Sequence, residues 1–111
     1  MEIKKLCKDV HDWAKLKGWR TDDVNPKNIP TELCLMHSEL SEALEEYRKN
    51  EKPHVVYYKN QKPEGIPIEL ADVVIRIADT CQHYGINLED AIAQKMIFNK
   101  TRSYRHGNKI C

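Results

Sequence analysis

Apolar residues recur at the three- and four-residue spacing of amphipathic helices in four segments of the chain. The segments are 2–18, about 30–49, 67–84 and about 88–104, with Pro30 or Thr31 able to begin the second and Pro67 the third. Gly18 and Gly85 follow apolar runs and are typical of helix ends. Asn87, with Asp90 three residues later, predicts the cap of the fourth helix.

Residues between the second and third segments are polar and rich in proline. The sequence HVVYY at 54–58 is too short to predict more than a small strand or hairpin arm. Four helices with short connections predict an all-α, four-helix-bundle-like fold, formed by one domain over residues 1–111. The segment 51–66 can be either a lid or a loose connection.

The third helix is apolar around most of its circumference. On a helical wheel its apolar side chains cover an arc of about 200°, which predicts a largely buried helix. The remaining narrow strip carries Glu69, Asp72, Arg76, Asp79 and His83. Its acids therefore do not belong to an ordinary solvated face.

The second helix has an acidic strip of its own, beside an apolar stripe. The stripe consists of Leu33, Met36, Leu40, Ala43, Leu44 and Tyr47. Glu39, Glu42 and Glu46 lie within an arc of about 60° next to it, whereas Glu45 points elsewhere. If the two helices are antiparallel neighbours, the two acidic strips face each other.

Facing carboxylates repel one another unless a cation neutralises them. An oxygen-only ligand set suits hard divalent cations, Mg²⁺ first and Mn²⁺ second. The alternative is that the strips never meet and Arg76 pairs with Asp72 one turn away. The acids on the buried third helix favour a metal site.

Composition narrows the classes of partner. The net charge of +1 lacks the basic excess of a nucleic-acid-binding protein, and no apolar run is long enough for a membrane span. The N-terminus has no apolar leader segment, which predicts a cytoplasmic protein. Four widely spaced cysteines predict free thiols rather than a zinc site: Cys7, Cys34, Cys81 and Cys111.

The order of these motifs resembles the MazG-like all-α nucleoside triphosphate pyrophosphatases. Glu39 and Glu42 form a Glu-x-x-Glu pair, a gap of 26 residues follows, and Glu69 and Asp72 form a Glu-x-x-Asp pair. The sequence KMIFNKTRSYRHGNK at 95–109 is similar to that family's Lys-x-x-x-Asn-x-x-Arg element with its basic tail. One departure is Ser38, where many members carry a second glutamate, so the site would hold one charge fewer or a different number of metal ions.

The resemblance implies Mg²⁺-dependent hydrolysis of a (deoxy)nucleoside triphosphate between the α and β phosphates, giving a monophosphate and pyrophosphate in nucleotide-pool clean-up. Glu39, Glu42, Glu69 and Asp72 would hold Mg²⁺, with Mn²⁺ as a substitute and Asp79 or Glu46 as outer support. Either Glu39 or Glu42 would be the general base. Members of the family form dimers or tetramers, so a homodimer or homotetramer is expected.

Lys95, Asn99 and Arg102 share one face of the fourth helix by their spacing. They are interpreted as substrate-binding residues, with the two cations clamping phosphates and Asn99 contacting the sugar or a phosphate. The alternative is a basic helix end that interacts with its own dipole. Trp13, Trp19 or Tyr47 could stack on a nucleobase, although such residues more often belong to a core or an interface.

Two other functions fit the same sequence. One is a related phosphoribosyl-ATP pyrophosphohydrolase, which shares the family's fold and metal chemistry. The other is a non-catalytic helical interaction module whose acids only keep it soluble.

Overall fold

The computed structural model describes residues 2–102 of the chain, and within them it is all-α apart from one small hairpin. The elements are α1 (Ile3–Leu16), a short 3₁₀ helix (Pro26–Asn28), α2 (Ile29–Arg48), β1 (Tyr57–Lys59), β2 (Lys62–Glu64), α3 (Ile66–His83) and α4 (Leu88–Thr101). The four predicted helices are therefore confirmed, and the stretch 54–58 contributes only its last two residues to a three-residue strand. The predicted end of the fourth helix near residue 104 lies outside the described residues.

The two glycines that follow helices end them for a physical reason. Gly18 and Gly85 adopt positive φ angles of 76° and 70°, which only glycine takes up easily. The next residue then donates its backbone N–H to a carbonyl five residues back, Trp19 to Ala14 and Ile86 to Cys81, both at 2.8 Å. These contacts satisfy carbonyl groups that the helix end leaves free.

The start of α4 follows the predicted cap. The Asn87 side chain accepts a hydrogen bond from the backbone N–H of Asp90 at 3.1 Å. It thereby satisfies a donor that has no partner inside the helix.

The hairpin brings the long connection back to the start of α3. Its strands are antiparallel, with Tyr57 opposite Glu64. Gly65 follows at a φ of 117°, and a Cβ atom there would lie 2.5 Å from the carbonyl oxygen of Val55. Glycine at this position therefore allows the connection to pack closely against the beginning of α3.

Helix α3 occupies the centre of the fold, with α1 and α2 packed against it and α4 packed against α1. The buried apolar side chains are small: Cys7, Ala14, Ala43, Ala78 and Cys81. Small side chains allow helix backbones to approach closely. Cys34, also predicted within a helix as a small buried residue, is exposed, and Cys111 lies outside the described residues.

The apolar stripes of α2 and α3 are less buried than their patterns predict. Leu44 and Tyr47 on α2 are 57% and 63% exposed, and Val74 on α3 is 50% exposed. From residue 90 to residue 102 every side chain is exposed. A helical wheel identifies which face is apolar, but it does not show whether the same chain covers that face. Within residues 2–102, no helix is long and apolar enough to cross a membrane.

Candidate functional site

The acidic strips of α2 and α3 meet. Glu39, Glu69 and Asp72, hereafter the acidic cluster, each offer a carboxylate oxygen, and these oxygens all lie within 4.8 Å of one another. All three residues are partly buried. Glu39 on α2 is thus brought together with Glu69 and Asp72, 30 and 33 positions further along the chain, by the packing of α2 on α3.

A second group of carboxylates adjoins the first through Glu69. Glu46, Glu64 and Glu69 also place one oxygen each within 4.8 Å of one another. Glu46 is only 4% exposed and accepts a hydrogen bond of 2.7 Å from the Tyr57 hydroxyl. That hydrogen bond to a carboxylate raises the pKa of Tyr57 to about 12. Glu46 is therefore close to the acidic cluster, as expected of an outer supporting residue.

Tyr57 and Glu64 are members of the site that the sequence pattern does not reveal. Both come from the hairpin, whose three-residue strands carry no helical periodicity. The segment 51–66 is thus a source of site side chains, beyond the two alternatives of a lid or a loose connection.

The pKa values of the two clustered acids on α3 are raised. Burial raises the pKa of Glu69, and the carboxylates of Asp72, Glu42 and Glu39 raise it further. Burial and then Glu39 raise the pKa of Asp72. The negative charges are therefore incompletely neutralised by the protein itself, and a cation at this point would be stabilised.

Arg76 is the positive group in contact with the cluster. Its Nε donates to Oε1 of Glu39 at 2.9 Å, between side chains that are 43% and 19% exposed. Its charge, with that of Lys62, also lowers the pKa of Asp72, against the effects of burial and of Glu39. The alternative pairing of Arg76 with Asp72 along α3 is not the one formed; the contact crosses to α2 instead.

Glu42 lies at the edge of this arrangement. It is exposed on α2, outside the group of three, yet near enough to raise the pKa of Glu69. Glu45 is exposed as predicted and pairs with Arg48 at 3.1 Å.

A cleft of about 710 Å³ opens beside the cluster, between α1, the following loop, α2 and α3. Glu39, Asp72 and Arg76 line it together with Trp13 and Trp19. The two tryptophans are 56% and 78% exposed, so their rings are not core residues of this chain. The cleft thus combines two exposed indole rings with carboxylates of the acidic cluster.

Asp79 does not support the acidic cluster, contrary to the expectation from sequence. It accepts hydrogen bonds from Arg20 Nε at 3.0 Å and Nη2 at 2.7 Å, and its other oxygen is 2.8 Å from His11 Nδ1. The guanidinium and the imidazole thus hold this carboxylate against α1 and the loop after it.

Arg20 bridges Asp79 to Glu32, which sequence reasoning also missed. Its Nη1 donates to Glu32 at 3.0 Å, and the Thr80 and Tyr84 hydroxyls donate to the same carboxylate at 2.8 and 2.7 Å. The Arg20 contact, helped by the two hydroxyls, lowers the pKa of Glu32 to about 2. Arg20, Glu32 and Asp79, hereafter the Arg20 network, have side chains only 13–17% exposed and also line the cleft.

Of the predicted substrate-binding residues, Lys95 and Asn99 lie on α4, which packs against α1. Arg102 follows the last residue of α4 in an extended conformation, so it does not continue their helical face as expected. Lys95 places its ammonium 4.8 Å from the centre of the Phe98 ring, and the Arg102 guanidinium is 5.8 Å from the same ring. Within residues 2–102, no hydrogen bond or ion pair joins Lys95, Asn99 or Arg102 to the four predicted metal ligands. A single chain thus brings the acids together without these residues.

Comparison of the chain with known proteins finds no matching family model, no matching curated protein and no matching solved structure. The function must therefore be argued from the chemistry of the site and from the motifs that this chain carries.

Proposed function

We propose that the protein is a Mg²⁺-dependent nucleoside triphosphate pyrophosphohydrolase of the MazG-like type. The observation that carries the proposal is the convergence of Glu39, Glu69 and Asp72 within 4.8 Å beside the cleft that contains Trp13 and Trp19. The order of the acid pairs and of the Lys-x-x-x-Asn-x-x-Arg element supports the same activity.

The donor set fits a hard divalent cation. All three donors are carboxylate oxygens, there is no histidine or thiolate among them, and Mg²⁺ and Mn²⁺ prefer such ligands. When bound, the cation would neutralise and orient the phosphates and activate water for attack. Burial and neighbouring acids raise the pKa values of Glu69 and Asp72, which distinguishes this cluster from an ordinary group of solvated surface acids.

The three glutamates on the acidic strip of α2 have different roles in this proposal. Glu39 belongs to the group of three, so we assign it to metal binding with Glu69 and Asp72. Glu42 is exposed at the edge of the cluster, where its carboxylate is free to accept a proton from the attacking water. Buried Glu46, fixed by Tyr57, lies beside Glu69 on the other side and would support the bound cation from outside the group of three.

The cleft provides room for the nucleoside. Trp13 and Trp19 offer exposed aromatic faces, which suit stacking on a base. By the resemblance, Lys95, Asn99 and Arg102 would contact the phosphates and sugar. Lys95 and Asn99 on α4, and Arg102 just after it, would have to reach the substrate by a contact that residues 2–102 of one chain do not form.

We further propose that the protein is a homodimer or homotetramer. Leu44 and Tyr47 on α2 and Val74 on α3 are at least half exposed, and no large side chain is fully buried among the described residues. A small domain with so little core gains stability by covering such faces with another copy. This would also complete the helical bundle.

Leu44→Glu should dissociate this assembly. The wild-type mass in solution should be a multiple of 13.0 kDa, and the variant should move towards 13.0 kDa because a carboxylate in an apolar interface is costly to desolvate. Light scattering at several protein concentrations measures the mass of wild type and of the variant. Val24→Glu, at an equally exposed residue of the loop after α1, should leave the mass unchanged. A wild-type monomer at every concentration would contradict the proposal.

The activity is tested directly with the purified protein, Mg²⁺ and a panel of nucleoside triphosphates that includes phosphoribosyl-ATP. Release of pyrophosphate and a monophosphate, lost on adding EDTA, is the expected result. Turnover of phosphoribosyl-ATP alone would assign the related histidine-biosynthetic reaction. Absence of hydrolysis across the panel would favour the interaction module, to which the exposed apolar faces would also be suited.

Glu42→Gln provides a test of the metal site through stability. Within residues 2–102 Glu42 forms no ion pair, so its neutralisation should relieve repulsion and stabilise the metal-free protein by about 0.5–1 kcal/mol. Wild type should gain more from Mg²⁺ than the variant, since the cation binds only the folded cluster. Melting curves in EDTA and in Mg²⁺ should therefore cross between the two proteins.

Glu45→Gln is the matched control, because Glu45 lies on the same helix but pairs with Arg48 outside the cluster. Its Mg²⁺ response should equal that of wild type. Identical melting of wild type with and without Mg²⁺ would refute the metal site.

A further inference from the structure

The contact between Arg76 and Glu39 lies inside the cluster that is proposed to bind metal. Oε1 of Glu39 accepts the Arg76 hydrogen bond at 2.9 Å, and Glu39 is one of the three carboxylates that converge within 4.8 Å. The guanidinium neutralises part of the charge of this carboxylate and occupies one of its oxygens with a hydrogen bond. Arg76 and a divalent cation would therefore compete for the charge of the Glu39 carboxylate.

We propose that Arg76 is a resident counter-ion of the acidic cluster, which competes with the divalent cation for Glu39 and yields it when the cation binds. The inference rests on the proposed metal site and adds a residue that neither the acid pairs nor the Lys-x-x-x-Asn-x-x-Arg element contains. Arg76 would set how tightly the cluster holds a cation, and would stabilise the fold when no cation is present.

Two features of the structure support this role. Arg76 contacts an acid on a different helix, Glu39 of the acidic cluster, at 2.9 Å. The side chain is 43% exposed and lines the cleft, so it can leave Glu39 without breaking a buried core.

Arg76→Gln is the direct test, with Mn²⁺ binding measured by calorimetry and no nucleotide present. Removal of the competitor and of one positive charge should tighten Mn²⁺ binding by roughly three- to thirtyfold. Without metal the variant should melt below wild type, and saturating Mn²⁺ should narrow the gap. Arg48→Gln is the control, since Arg48 pairs with Glu45 outside the cluster, and its affinity for Mn²⁺ should match wild type.

Arg76→Lys provides a second variant if Arg76→Gln does not fold. The ammonium retains the charge but not the planar fork, so its affinity for Mn²⁺ should lie between those of wild type and Arg76→Gln. Circular dichroism of each variant establishes that it is helical before binding is compared.

Equal or weaker Mn²⁺ binding by a folded Arg76→Gln variant would overturn the inference, and so would absence of Mn²⁺ binding by every variant. The proposed activity fails separately. Tighter binding by Arg76→Gln in a protein that hydrolyses no nucleotide would support the counter-ion and refute the hydrolase. An active wild type whose affinity for Mn²⁺ is unchanged by Arg76→Gln would support the hydrolase and refute the counter-ion.

Discussion

Glu69→Gln should reduce turnover of the nucleotide by roughly 10³-fold or more while the helical content stays unchanged. Glu69 is the one residue that belongs to both groups of converging carboxylates, with Glu39 and Asp72 on one side and with Glu46 and Glu64 on the other. Replacing it by a neutral amide removes a strong ligand from the centre of the site. Its pKa is raised by burial and by its neighbours, so the native carboxylate is held there at a cost in stability.

The stability of Glu69→Gln with and without Mg²⁺ distinguishes loss of metal binding from loss of folding as the cause of reduced activity. Relief of repulsion should leave the metal-free variant as stable as wild type or slightly more stable, and Mg²⁺ should stabilise it much less. Steady-state rates and melting curves in EDTA and Mg²⁺ measure both effects. Glu45→Gln, on an exposed part of α2, should retain full activity. A Glu69→Gln variant with nearly normal rates would remove Glu69 from the site and would count against the proposed hydrolase.

The fold could be predicted from the sequence because its elements are encoded locally. Gly18, Gly85 and Asn87 act through the backbone of their own helix ends, and each has the predicted effect. Helical spacing also predicted that the two acidic strips could face each other, but the apolar arcs do not explain it. On α2, Leu44 and Tyr47 stay more than half exposed, while Glu39 and Glu46 lie on the side that meets α3.

The residues that sequence reasoning missed or misplaced lack this local encoding. Arg20 lies in a loop, and its two acidic partners are 12 and 59 positions away. Glu64 and Tyr57 come from strands of three residues. Asp79 lies on the same strip of α3 as Glu69, yet it is captured by Arg20 and His11. Helical spacing places a side chain on a face, but the partners available further along that face decide what it does.

The exposed apolar faces have a similar explanation. A stripe such as the one containing Leu44 and Tyr47 shows that something must cover it, and a pattern within one chain cannot distinguish a neighbouring helix from another copy. The exposure of these side chains shows that the faces are not covered by residues 2–102 of the same chain, in which α4 packs against α1.

The largest expected effect on stability comes from Arg20→Met. The substitution keeps most of the side-chain volume but leaves Glu32 and Asp79, which are 13% and 17% exposed, without their shared cation. Breaking a largely buried ion pair from one side is strongly destabilising, so the free energy of unfolding at neutral pH should fall by about 3 kcal/mol. Urea unfolding at fixed protein concentration measures it. Arg48→Met, which breaks an exposed pair with Glu45, should cost less than about 0.5 kcal/mol.

The pH dependence identifies the cause of the loss. Glu32 has a folded pKa of about 2 against an ordinary value of 4.5, so its ionised form stabilises the folded state above about pH 4.5. That contribution disappears as the pH falls from about 5 towards 2. Without Arg20 the main cause of the low pKa is gone, so the deficit of Arg20→Met should shrink over the same range. A deficit that is equal at pH 7 and pH 3 would show that Arg20 acts through packing rather than charge. The loop that carries Trp19 would then be held at the cleft by shape alone.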